Sequence, residues 1–217
     1  MTLRHHPSKG EFQLERILFF SDAIFAIAIT LLVIELHVPE LADNATAADF
    51  WNAIGHIAPK MIGFVLSFFI IAMFWFVHHD MFGYVTRYTP QLIWLNLIFM
   101  LTIVTMPFTT AMYSEFSTPH HLHLSGPYAF YAFNIIAAGI MNYWLWRYIG
   151  NPANRVADAF PDGHLAAGKW RALVMPIVFG FSWLISLQWP AAGRFTLFLI
   201  APLMMFVPFQ KKSNQVP

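Results

Sequence analysis

Residues 18–34 read LFFSDAIFAIAITLLVI, and the single ionisable group among them is the carboxylate of Asp22. A second titratable group, His78-His79-Asp80, closes another long apolar run. A carboxylate inside an apolar span is costly, so it signals a partner and a function. An acid and an imidazole at one membrane depth suit a proton relay, or a polar knot that fixes one helix against another. Metal chemistry is a poorer fit. Adjacent histidines on a helix point about 100° apart, which sets His78 and His79 badly for one ion. His120, His121 and His123 form no compact tetrahedral ligand set. No metal or cofactor is expected.

The elements that position these groups follow from composition. The chain has 217 residues, 58% hydrophobic and 11% charged. Soluble domains carry about 25% charged residues, so this is an all-α membrane protein. Eight Trp and twenty-three Phe suit interfacial belts and lipid-facing surfaces. Cysteine is absent, which removes disulfide and thiolate chemistry. A net charge of +1 gives no support for a nucleic-acid partner.

Six apolar segments are expected to span the bilayer, at about 17–36, 56–79, 91–113, 127–149, 170–188 and 192–209, within one domain over residues 1–217. The run after Arg16 is too long for a signal peptide and reads as a retained first helix. Pro107 should kink the third span. Residues 37–55, with Glu40, Asp43 and Asp49, read as a solvated acidic loop, and 211–217 as a polar tail. Basic residues set the orientation. With the N-terminus cytoplasmic, Arg4, Lys9, Arg16, Arg87, Arg147, Arg155, Lys169, Arg171, Lys211 and Lys212 fall inside. Only Lys60 and Arg194 of the chain's twelve Lys and Arg fall outside. Both termini are then cytoplasmic. No internal repeat is visible, which weighs against an inverted-repeat transporter.

The first helix has two faces. Leu31 and Ile34 lie within about 40° of Ile27, with Phe20, Ala23, Ile24 and Thr30 flanking them. Asp22 lies about 140° away, toward neighbouring protein. The second helix ends where the first begins, so Trp75, His78, His79 and Asp80 share a depth with Arg16, Ser21 and Asp22. Read plainly, the aliphatic ladder is packing or lipid contact, and Thr30 bonds the carbonyl one turn back. Trp75 and His78 also suit an ordinary interfacial belt.

Arg16, then Phe20-Ser21-Asp22, then AIFAIAITLLVIEL, resembles the first-helix signature of the transmembrane protein 175 potassium channels. Trp75-x-x-His78-x-x-x-Phe82 is similar to that family's second motif. Six spans in a short chain match its prokaryotic branch. The resemblance implies a homotetramer in a prokaryotic plasma membrane, with four first helices lining a central pore. It implies a potassium-permeable cation channel that conducts passively, admits other monovalent cations less well, and is not an enzyme. The constriction would be Ile27, Leu31 and Ile34, with Thr30 as a selectivity layer. Arg16, Phe20, Ser21, Asp22, Trp75 and His78 would form the polar network that holds the pore helix. An aliphatic ring closes a pore by dewetting and opens by rotation or dilation, unlike a carbonyl filter. Gly83-Tyr84-Val85 lacks the Thr-Val of such a filter and is a chance match. Two other readings compete: a proton-coupled transporter using Asp22 and His78, and an intramembrane histidine-dependent enzyme.

Overall fold

The computed structural model describes residues 9–117, 121, 123–190 and 192. They form α1 (Lys9–Ile34), α2 (Ala47–Phe82), α3 (Pro90–Val104), α4 (Met106–Glu115), α5 (Ser125–Ile149) and α6 (His164–Ser186). The sixth apolar segment, 192–209, and the polar tail lie outside the described residues, apart from Ala192. Among the described residues, three helical stretches are long and apolar enough to cross a membrane: Phe12–Ile34, Ala47–Phe82 and Pro90–Glu115. α5 and α6 coincide with the fourth and fifth apolar segments.

Helical structure runs further than the apolar segments do. The expected 37–55 loop shrinks to residues 35–46, because Thr46 and Asp49 form a capping box. The Thr46 N–H donates to Asp49 Oδ2 at 2.8 Å, and the Asp49 N–H donates to Thr46 Oγ1 at 3.3 Å. α2 therefore has 36 residues. At 1.5 Å per residue it is about 54 Å long, well beyond the ~20 residues a bilayer core requires. Thr89 caps α3 in the same way, accepting from the Leu92 N–H at 3.1 Å, with Pro90 at the first helical position.

The third span is interrupted at Thr105, where α3 ends and α4 begins. Pro107 has no N–H to offer the carbonyl four residues back, so the ladder fails there. Asn134 of α5 bridges the break: its Nδ2 donates to the Thr102 carbonyl at 3.1 Å, and its Oδ1 accepts from Thr105 Oγ1 at 2.9 Å.

The interior lies where α5 packs against α3, α4 and α6, and where α2 packs against α1 and α4. Ser67 of α2 joins Tyr131 of α5 at 2.9 Å and Thr110 of α4 at 2.8 Å, all buried. Such a chain satisfies each hydroxyl where no water reaches. α5 and α6 pack most extensively, and glycine permits the approach. A Cβ at Gly168 would sit 2.6 Å from the fully buried Trp146 ring. Overpacking such a site costs about 1–3 kcal/mol. Gly168→Val is therefore expected to lower the thermal midpoint of the detergent-solubilised protein, while Gly55→Ala, which meets open space inside α2, should hold it or raise it slightly.

Candidate functional site

The inward stripe of α1 is Ser21, Phe25, Ala28 and Leu32, all buried. The spacing of four, three and four keeps them on one helix face. Ser21 anchors the stripe. Its hydroxyl donates to the Ile17 carbonyl at 2.9 Å, so its lone pairs must accept from Asn96 Nδ2, also at 2.9 Å. That orients the amide of Asn96 and leaves its Oδ1 as the acceptor facing His78 Nε2 at 2.9 Å. Since an amide oxygen only accepts, His78 carries its proton on Nε2. One buried chain thus ties α1 to α3 and α2. Aromatic rings enclose the imidazole: Phe82 stacks at 4.2 Å, Phe99 at 5.8 Å, and Phe25 tilts against it at 5.6 Å.

Asp22 takes a separate partner. Its Oδ1 accepts from Trp75 Nε1 at 2.9 Å, on the exposed side of the α1–α2 contact. Trp75 in turn stacks on His79, with centroids 5.5 Å apart. The carboxylate is half of a second clasp between the same two helices, one residue along from Ser21.

The predicted polar set is therefore only partly gathered. Ser21 and His78 meet through Asn96, and Asp22 meets Trp75. Arg16 and Phe20 are exposed, and Arg16 makes no hydrogen bond or ion pair among the described residues. Asp80 leaves the knot altogether. It faces the opposite side of α2, 3.1 Å from His164 Nε2 at the start of α6. The sequence reading missed Asn96, although a lone amide inside QLIWLNLIFML is the kind of polar group that needs a buried partner. Asp22 and His78, the residues of the proposed proton relay, end in different hydrogen bonds and have no shared partner.

The outward face of α1 is bare. Ile27 is 57% exposed, Leu31 39% and Ile34 64%, and Thr30 is exposed beside them. Nothing in the chain's own described residues covers this ladder. Thr30 Oγ1 donates to the Ile27 carbonyl at 2.9 Å. Its hydrogen is thereby turned to the backbone, and the oxygen keeps its lone pairs as acceptors.

The fold and the site define a multi-helix membrane protein whose first helix is clasped on one face and, among the described residues, uncovered on the other. Residues 16–107 match the family described as the endosomal/lysosomal potassium channel TMEM175. The segment runs from α1 into α4 and contains both clasps and the ladder. A potassium channel of Streptomyces collinus is 40% identical over 101 residues, 46% of this chain and 48% of that protein. A potassium channel of Chamaesiphon minutus is 30% identical over 149 residues, 69% of this chain and 71% of that one. The match thus spans about half the length of the first relative and most of the second. The crystal structure of a lysosomal potassium-selective channel TMEM175 homolog from Chamaesiphon minutus superposes with a TM-score of 0.74 at 23% identity, covering 91% of this chain and 99% of that one. A variant of the potassium channel MtTMEM175, in complex with a nanobody–MBP fusion, gives 0.61 at 22% identity, covering 88% and 90%. The chain belongs to the TMEM175 family.

The Asn96 bridge is open to test. Asn96→Leu leaves the His78 N–H and the Ser21 acceptor unpaired in an apolar interior. An unpaired buried polar group costs about 1–3 kcal/mol, so the thermal midpoint in detergent should fall clearly. Trp75→Phe, which frees an exposed carboxylate, should lower it less.

Proposed function

We propose that this chain is the subunit of a potassium-permeable cation channel. In this reading it is a homotetramer of six-span subunits with cytoplasmic termini, set in a prokaryotic plasma membrane, and four copies of α1 line the pore. The observation that carries it is the bare ladder of Ile27, Leu31 and Ile34 on a helix whose opposite face is tied down. Relatives named as potassium channels support the same activity.

The mechanism follows from side-chain chemistry. Rings of branched aliphatic side chains offer no ligands to an ion. They repel water from a narrow passage, and the dry gap is the barrier. A small rotation or separation of the helices wets the gap and lets hydrated or partly hydrated cations through. Because Ser21 is tethered to α2 and α3, such motion would engage those helices as well. Thr30 supplies the polar contact in the ladder. With its hydrogen committed to the Ile27 carbonyl, each Thr30 oxygen presents lone pairs to the axis, and four such oxygens form a ring of acceptors. Cations then divide according to their dehydration cost against this weak ring. The outcome is a potassium preference that still admits other monovalent cations.

Purified protein in potassium-loaded liposomes should show passive potassium flux, and subunit counting should give four. A monomer with no conductance, or a slow proton-coupled flux, would sink the proposal. Ile27→Asn should wet the constriction and raise conductance several-fold. Thr30→Ala should keep the current but move the potassium–sodium reversal potential toward zero. An unchanged reversal potential would remove Thr30 from selectivity.

A further inference from the structure

Away from the proposed pore, two loops meet at the membrane end shared by the α2 C-terminus and the α5 C-terminus. They are clamped together by a single bridge between Val85 and Ala157. The N–H groups of Thr86 and Arg87 both donate to the Val156 carbonyl, at 3.0 and 3.1 Å, and the Asp158 N–H donates to the Tyr84 carbonyl at 3.1 Å. A 3-10 turn at Pro152–Asn154 leads into Arg155, whose φ of 51° lies in the left-handed region. Non-glycine residues adopt that conformation at a cost, and it persists where the surroundings hold it. The result is a framed pocket of about 650 Å³ rather than a loose loop.

Its lining is amphipathic. Ile149 and Leu165, where α5 ends and α6 begins, make it apolar, while Arg87, Arg155, Asp158 and Asp162 bring charges of both signs. Both arginines are exposed, and neither side chain has a hydrogen bond or ion pair among the described residues. Two cations and two anions that line one pocket without bonding each other suit a ligand that also carries both charges. The depth is that of the bilayer interface. Trp144 and Trp170, within two helical turns of the pocket on α5 and α6, are 49% and 65% exposed, and Trp144 stacks with Arg147 at 5.5 Å. Exposed tryptophan paired with arginine marks the headgroup level.

We propose that this pocket binds a phospholipid with a zwitterionic phosphate–ammonium headgroup. The phosphate sits between Arg87 and Arg155, the ammonium donates to Asp158 and Asp162, and the glycerol and upper acyl chain lie on Ile149 and Leu165. Guanidinium groups match phosphate oxygens with paired hydrogen bonds. An ammonium bearing hydrogens bonds carboxylates in a way that a trimethylated one does not.

The proposal rests on the chain lying in a membrane and not on ion conduction. Its test is native mass spectrometry of the full chain after reconstitution in equal parts of phosphatidylethanolamine, phosphatidylglycerol and phosphatidylcholine. Wild type should retain phosphatidylethanolamine over the other two by roughly tenfold, the ratio given by one good charged contact. Arg87→Gln with Arg155→Gln should abolish the retention. Asp158→Asn with Asp162→Asn should switch the preference to phosphatidylglycerol, a readout that general unfolding would not produce. Equal retention of the three lipids by wild type, or unchanged retention in the arginine variant, would overturn the proposal. Displacement of the lipid by millimolar free phosphoethanolamine would also overturn it, in favour of a soluble ligand. Potassium flux should be measured on the same samples, since it can fail or persist independently of lipid retention.

Discussion

The rest of the molecule depends on how α1 is rotated about its own axis, and a buried hydrogen-bond chain sets that rotation. Ser21, Asn96 and His78 join three helices through contacts of 2.9 Å each. Each group's hydrogen-bonding capacity forces the next one's orientation. The Ser21 hydroxyl is used by the Ile17 carbonyl, the Asn96 amide must therefore face one way, and the imidazole must carry its proton on the nitrogen that meets it. A helix turned by one residue, about 100°, would break the chain and bury polar groups without partners.

With Ser21 facing inward, Phe25, Ala28 and Leu32 follow it into the protein, and Ile27, Leu31 and Ile34 are turned out. The outward face is as apolar as the inward one. Hydrophobicity alone would be satisfied by either side, or by lipid on both. Polar satisfaction breaks this symmetry. The clasp between Asp22 and Trp75 adds a second constraint one residue away, so the helix is held at two angles rather than one. The opposite membrane end of α2 is tied in a different manner, by the ion pair of Lys60 with Glu115 at 2.5 Å.

Particular residues mark the limits of sequence reasoning. The pairing of Asp22 with a group near the end of α2 follows from helix depth alone, because a costly carboxylate must find a donor at its own level. Asn96 escaped notice because an amide carries no charge and its partners lie eighteen and seventy-five residues away. Asp80 shares a depth with His78 yet points to α6, because residues two apart on a helix face different ways. Arg16 and Phe20 sit beside Ser21 in the sequence but on the exposed surface in space. The loop before α2 is shorter than its polarity suggests, because Thr46 and Asp49, three residues apart, form a capping box that starts the helix.

Composition and residue spacing alone settle the solvent and the periodicity. Long apolar runs with few charges require a membrane and require helices, since lipid leaves backbone groups no other partners. Spacing also determines which side chains share a face of α1, because 3.6 residues per turn does not depend on surroundings. It does not determine which face turns inward. That choice lies in contacts between residues far apart in the chain, above all the carboxamide of Asn96 between a serine and a histidine. Packing between helices sets it, because the cost of an unpaired polar group is fixed by what stands opposite it and not by its neighbours in sequence.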